Sequence, residues 1–362
     1  MKIALLGDIA LIGTYSLYNN SKLTQTGWGV ERILSECDYV VGNLETPFSY
    51  KRKPYGAKSA YLCTEPENIE LLKMLGVNAV TLANNHMFDY GKEGYELTKQ
   101  LLDEAGIEWF GAEGKELKMN ILGNKLAFSG WCCYSTNPQG CVKNGNYGIN
   151  EFDVEEAIKV LKHNANEGWL NIAAVHAGIE HVNYPSLDTI KLADKLSETG
   201  PMIYYGHHPH VSQSVERKGN SLIAYSLGNF CFDDTYAHRG DAEPIVKLSE
   251  SNRESFILKV TIEDNVIKNY EIIPIYIGQH GIETGKGITQ EVLDGWQDKM
   301  HTLSDDDYQH MRQAQRNEWV RERKARRGIG WLLSHLRPRY AKLFVTNHLN
   351  AKKYAVHVSG QL

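Results

Sequence analysis

Leu82–Gly91 reads LANNHMFDYG, two asparagines and a histidine directly after an apolar run, with an aspartate three residues past the histidine. A buried strand end is a costly place for so many polar side chains unless they hold something. The pattern recurs along the chain. Gly7-Asp8 closes an apolar run at the N-terminus, Asn43-Leu44-Glu45 closes another, and His176 closes a third, with Glu180 shortly after it. Gly206-His207-His208-Pro209-His210 places three histidines within four residues. Taken singly, Asp8 reads as a helix cap and Asn43 or Asn84 as turn residues. Taken together, Asp8, Glu45, Asn85, His176, His208 and His210 would meet at one sheet edge, because functional groups of βα units gather past the C-terminal ends of strands. Carboxylates and neutral imidazoles converging with almost no lysine or arginine among them call for a cation. Mixed His/Asp/Glu/Asn sets suit Mn, Zn or Fe, often as two divalent ions about 3.5–4 Å apart.

The elements that must position these groups follow from the apolar pattern. Lys2–Gly7, Tyr39–Gly42, Ala79–Ala83, Leu126–Trp131, Ile172–Val175 and Met202–Tyr205 are short apolar runs and read as buried strands. Between them the pattern predicts helices over Glu67–Leu75, Gly94–Ala105, Glu155–Glu167 and Leu187–Glu198, three of them stopped by a glycine. This βαβ rhythm implies an α/β fold with a partly parallel sheet. After Gly206 the rhythm becomes strand-turn-strand. Val215–Glu216, Ser221–Tyr225, Ser255–Ile262 and Val266–Ile275 read as strands, joined by Lys218-Gly219-Asn220 and Glu263-Asp264-Asn265 turns.

The chain has 362 residues, a formal net charge of −5 and 42% hydrophobic residues, the profile of a globular protein that is not a nucleic-acid binder as a whole. Its six cysteines form no C-x-x-C pair, so they read as reduced packing residues and not as a zinc knuckle. MKIALLGD already reads as a strand, with no signal-peptide pattern, and no apolar run reaches the ~20 residues of a membrane span. The expected location is the cytoplasm. Residues 285–362 differ from 1–284. Ile288–Arg327 reads as a charged helix, about a dozen Lys and Arg fall between Arg312 and Lys353, and Trp331–Phe344 mixes aromatics with basic residues. Such a basic, mainly helical extension suits an anionic polymer or an anionic lipid face, which would place the protein peripherally at the inner side of the membrane.

Six stretches in order resemble the CapA family of capsule and poly-γ-glutamate synthesis proteins, a branch of the calcineurin-like metallophosphoesterase fold. They are Gly7-Asp8, Asp38–Pro47 (DYVVGNLETP), Leu82–Gly94, His176–Glu180 (HAGIE), Gly206–Val211 (GHHPHV) and Tyr225–Phe230 (YSLGNF). The resemblance covers roughly residues 1–280 and implies a four-layer α/β/β/α sandwich with the metals at one edge, followed by a C-terminal helical extension. It implies Asp8 on one ion, Glu45 bridging with Asn43 nearby, Asn85 on the second ion, and His176, His208 and His210 completing the set. His86 is then the acid–base residue, Asp89 its orienting partner at i, i+3, and Asn84 a backbone satisfier in the turn. Ala10 stands where metallophosphoesterases carry a histidine, and Glu45 where they carry an aspartate, as in the CapA branch.

Three activities are compatible with these residues. The first is metal-dependent hydrolysis of a phosphoester, with His86 protonating the leaving oxygen. The second is hydrolysis or epimerisation of a peptide or γ-linked amide, with Glu180 as a further acid–base group or as an outer partner of His176. The third is a non-catalytic scaffold or polymer-binding subunit of a capsule assembly machine. In each case the partner is an anionic polymer or its precursor and not a nucleic acid.

Overall fold

The computed structural model describes residues 1–50, 54–55, 60–133, 141–142, 147–236, 244–325 and 345. The Trp331–Phe344 stretch and nearly all of the basic segment after 325 lie outside the described residues. Along the chain the strands are β1 (Lys2–Ile9), β2 (Tyr39–Leu44), β3 (Ala79–Thr81), β4 (Glu108–Phe110), β5 (Leu117–Ile121), β6 (Asn124–Cys132), β7 (Cys141–Val142) and β8 (Ile149–Asn150). They continue as β9 (Leu170–His176), β10 (Met202–His207), β11 (Val215–Lys218), β12 (Ser221–Ala224), β13 (Asn229–Cys231), β14 (Glu254–Glu263), β15 (Val266–Ile277) and β16 (Ile282–Thr284). The helices are α1 (Leu23–Thr26), α2 (Glu31–Ser35), α3 (Ile69–Met74), α4 (Gly91–Ala105), α5 (Val154–Asn166), α6 (Leu187–Ser197), α7 (Glu250–Arg253), α8 (Gln290–Thr302) and α9 (Asp305–Ala325).

The first sheet runs β16-β15-β14-β1-β2-β3-β4, with β13 also pairing to β1, and the second runs β11-β12-β10-β9-β6-β5. Side-chain alternation explains how the two stack. In β1, Ile3 and Leu5 face the second sheet, whereas Ala4 and Leu6 face the helices around α3 and α4. In β9, Ile172 and Ala174 face the first sheet, whereas Ala173 and Val175 pack under α5 and α6 with Leu161, Leu192 and Leu196. Strands buried on both faces read as continuous apolar runs, which is why the sequence marks them so clearly. The result is a four-layer α/β/β/α sandwich.

The expected strands and helices are present with ends shifted by a few residues. One expectation is corrected. Ile288–Arg327 is not one helix: α8 ends at Thr302 and α9 starts at Asp305. Ser304 Oγ accepts the Asp307 backbone N–H at 3.2 Å, a helix-start cap between the two. Both helices pack on the sandwich. Leu293 of α8 is fully buried between the sheets' edges, and His301 donates to the buried Glu216 at 2.8 Å. The five cysteines whose side chains are described are free thiols. Among the described residues no helix is long and apolar enough to cross a membrane.

Two glycines let strands approach where the polar groups begin. A Cβ on Gly7 would lie 2.1 Å from the Gly228 carbonyl oxygen, and one on Gly206 would lie 1.9 Å from that of Tyr225. Neither site has room for a side chain. The residues that follow, Asp8 and His207, carry the polar groups at the C-terminal ends of their strands.

Candidate metal centre

Strand register brings the polar ends together. Asp8 of β1 pairs with Asn43 of β2 on one side and Asn229 of β13 on the other. His176 of β9 pairs with His207 of β10. These two groups belong to different sheets and face each other across the gap. His207 Nδ1 is 3.0 Å from Asp8 Oδ1, and Asn43 Nδ2 is 2.8 Å from Asp8 Oδ1 and 3.3 Å from His176 Nδ1.

Glu45, just past β2, is fully buried between two donor sets. Its Oε1 is 3.5 Å from His176 Nε2, which is itself 2.9 Å from Asn85 Oδ1. Its Oε2 is 3.9 Å from His210 Nδ1, which is 3.3 Å from Asp8 Oδ2. One ligand atom each from Asp8, Glu45 and His176 falls within 4.8 Å of the others. His208 lies beside this group, its ring 4.9 Å from that of His176. Its Nδ1 is buried with no hydrogen-bond partner among the described residues.

The backbone pays for this convergence in strain. His208 and His210 adopt φ of 96° and 56°, in the left-handed region that non-glycine residues avoid. Such conformations cost on the order of 1–3 kcal/mol each and persist where the surroundings over-determine them. They turn the chain after β10 so that both imidazoles point back into the centre.

Electrostatics follow from burial and proximity. Burial disfavours the Asp8 carboxylate, yet hydrogen bonds and charge from His207 and His210 outweigh it and hold its pKa well below the ordinary value. Burial pushes His176 well below the usual imidazole range, with His208 adding to the effect. His208 is lowered to about 4, chiefly by burial, against an opposing pull from Glu180. For His210 burial is overcome by Glu45 and Asp8, which carry it up to about 10. A proton on His210 thus does part of what a cation would do between two buried carboxylates. The donor set fits a divalent metal: two acids, an amide oxygen and imidazoles, with the ion pairs of Asp8 and Glu45 among the described residues running to histidines.

His86 and Asp89 stand next to the centre in the turn after β3. His86 Nδ1 is 2.6 Å from Asp89 Oδ2, which also accepts the Leu62 backbone N–H at 2.7 Å. Asn84 spans the same turn, giving its amide to the Leu44 carbonyl at 2.7 Å and accepting the His86 N–H at 3.1 Å. Glu180 lies at the edge of the buried set, within charge reach of His208, His210 and His86. Its side chain is 47% exposed at the rim, 3.7 Å from His181 Nε2. His207 and Asn229 are site neighbours that the sequence reading did not single out. His207 was visible only as one of three adjacent histidines, and Asn229 only as part of YSLGNF.

A family description, bacterial capsule synthesis protein PGA_cap, matches residues 2–234. The chain is 30% identical over 256 residues to the PGA biosynthesis protein CapA of Bacillus subtilis, covering 68% of this chain and 64% of that protein. It is 29% identical over 263 residues to the capsule biosynthesis protein CapA of Bacillus anthracis, covering 68% of this chain and 60% of that one. The match therefore spans less than two thirds of either relative's length. Among solved structures, the NAD nucleotidase of Haemophilus influenzae aligns over 90% of this chain and 60% of its own, with 12% identity and a TM-score of 0.40. With a family match over more than half of its length, the chain belongs to the bacterial capsule synthesis (PGA_cap) family.

Proposed function

We propose that this protein is a metal-dependent hydrolase of the phosphoesterase type that acts in capsule polymer synthesis, on an anionic polymer or its precursor. The observation that carries the reading is the position of Glu45, whose two oxygens face separate donor sets, His176 with Asn85 and His210 with Asp8. Asp8, Glu45, Asn85, His176, His208 and His210 would hold the divalent ions, Mn, Zn or Fe. When bound, the ions supply Lewis-acid polarisation and an acidified water.

The chain's own residues do the rest. Asp89, fully buried, fixes the orientation of the His86 ring through Nδ1 and leaves Nε2 for proton transfer. Nε2 of His86 is then the atom that gives a proton to the leaving oxygen. Asn43 bridges Asp8 and His176 and fixes their spacing. Burial of the centre keeps bulk water from its charges, which strengthens every interaction there.

The test begins with metal content. About two equivalents of Mn, Zn or Fe in the purified protein, lost in an Asn85→Ala/His208→Ala double variant, followed by phosphate release from a phosphoester panel, support the reading. No metal uptake by the wild type in excess Mn or Zn refutes it.

A further inference from the structure

Helix α9 lies outside the family match and runs along the rim of the centre. Five of its residues, Tyr308, Arg312, Gln315, Trp319 and Arg323, fall on one face at spacings of three and four. Four of them engage, one helical turn at a time, the segment that follows Glu180. Tyr308 Oη donates to the Pro185 carbonyl at 2.9 Å, and Arg312 Nε donates to that of Tyr184 at 3.0 Å. Gln315 accepts the Asn183 N–H at 3.0 Å and donates to its Oδ1 at 2.6 Å. Trp319 stacks on His181, centroids 4.2 Å apart and planes 16° from parallel. The helix thus reads the segment backwards, from Pro185 to His181, and heads toward the centre.

Arg323 is one turn further along, an advance of about 6 Å at 1.5 Å per residue. Its guanidinium lies 5.1 Å from the Trp319 ring, and its charge reaches His181, where it adds to the lowering of that imidazole. Among the described residues no carboxylate pairs with Arg323, whereas Arg312 is committed to a carbonyl and Arg321 to Glu318 at 3.3 Å. His181 links this pair to the centre: its ring is 6.4 Å from that of His210.

We infer that Trp319 and Arg323 form an anion-receiving subsite beside the centre, on the far side of His181, which takes a second anionic group of a polyanionic chain whose first group lies at the Asp8–Glu45 centre. The inference rests on the reading of that centre as a cation site. A guanidinium backed by an aromatic face is suited to a planar carboxylate or a phosphate, and its partial shelter strengthens the contact. Trp319 positions Arg323 and the His181 ring; Arg323 makes the contact.

The test measures binding to Mn-loaded full-length protein by calorimetry, with γ-linked hexaglutamate and inorganic tripolyphosphate as extended probes and inorganic phosphate as the single-group reference. Metal content and thermal midpoint serve as the folding control for Arg323→Gln, Arg323→Lys and Trp319→Leu. The expected result is that Arg323→Gln weakens at least one extended probe about tenfold relative to phosphate, that Arg323→Lys restores part of the loss, and that both effects shrink in high salt. A loss confined to hexaglutamate identifies carboxylates as the ligand, and one confined to tripolyphosphate identifies phosphates. Equal affinities in wild type and Arg323→Gln, or no binding of either extended probe by the wild type, overturn the inference. Absence of metal from the wild type instead overturns the hydrolase reading, and the two failures are read from different measurements.

Discussion

Asp8 and His207 meet at 3.0 Å although they sit on different sheets, one at the end of β1 and the other at the end of β10. The contact ties the two halves of the sandwich where the polar groups collect. His207→Ala leaves a buried carboxylate oxygen short of a donor, which costs about 1.5–3 kcal/mol for a charged group. It should also weaken metal retention roughly 10–100-fold, the usual effect of removing an outer partner of a ligand. Urea denaturation and metal titration of the variant check the two effects separately.

Asp89→Asn keeps the size of the side chain but removes the charge facing His86 Nδ1. Turnover of a phosphoester substrate should fall by about 10²-fold, within the range of general acid–base effects, while metal content stays at the wild-type level. Equal turnover in variant and wild type would show that His86 moves no proton in the slow step.

Metal removal should lower the thermal midpoint, and Mn or Zn should restore it. An ion present at a hundred times its Kd adds about 2.7 kcal/mol to a folded state that alone binds it. Because His210 is protonated up to about 10 in the metal-free protein, uptake should release a proton near neutral pH, and apparent affinity should rise with pH. Calorimetry in buffers of different ionisation enthalpy reads that proton directly.

Acid should destabilise the metal-free protein through His181 and His208. Burial lowers each to about 4, below the unfolded value near 6.5. Between those limits the unfolded chain binds protons that the folded chain refuses, so stability falls as pH drops from about 6.5 toward 4, by up to about 1.4 kcal/mol per pH unit per group. Asn252 donates to His181 Nδ1 at 3.0 Å, which suits the neutral ring. His181→Phe retains an aromatic partner for Trp319 and should flatten the decline, as denaturation midpoints at pH 4.5 and 7 would reveal.

Asn183 anchors α9. It accepts from Gln315 at 2.6 Å and Ser251 at 3.0 Å, and donates to the Ser212 carbonyl at 2.9 Å. Asn183→Ala should cost about 1–3 kcal/mol through the partners left unsatisfied. Hydrogen exchange should show faster exchange in α9, with β1 and β9 unaffected.

Much of this was legible in the sequence, for physical reasons. β1, β2, β3, β9 and β10 are apolar on both faces, so their runs are continuous and the polar residues just past each one stand out. Asp8, Glu45, Asn85 and His176 were found that way. β13 was not, because Asn229–Cys231 is a three-residue strand whose pairing to β1 depends on register across the fold. The break between α8 and α9 carried a signal, Ser304 followed by three aspartates, which the long charged pattern hid. The stack of Trp319 on His181 had no local signal at all, since nothing near either residue specifies the other.

The close approaches at Gly7 and Gly206 have a consequence for any survey of tolerated substitutions. Neither glycine offers a ligand atom, yet a methyl group at either would collide with a backbone carbonyl, that of Gly228 or of Tyr225, and displace the strand that carries Asp8 or His207. In a deep mutational scan both positions should be as intolerant as the acids and histidines beside them. A map of function drawn from such a scan would assign chemistry to two residues whose whole contribution is the space they leave empty.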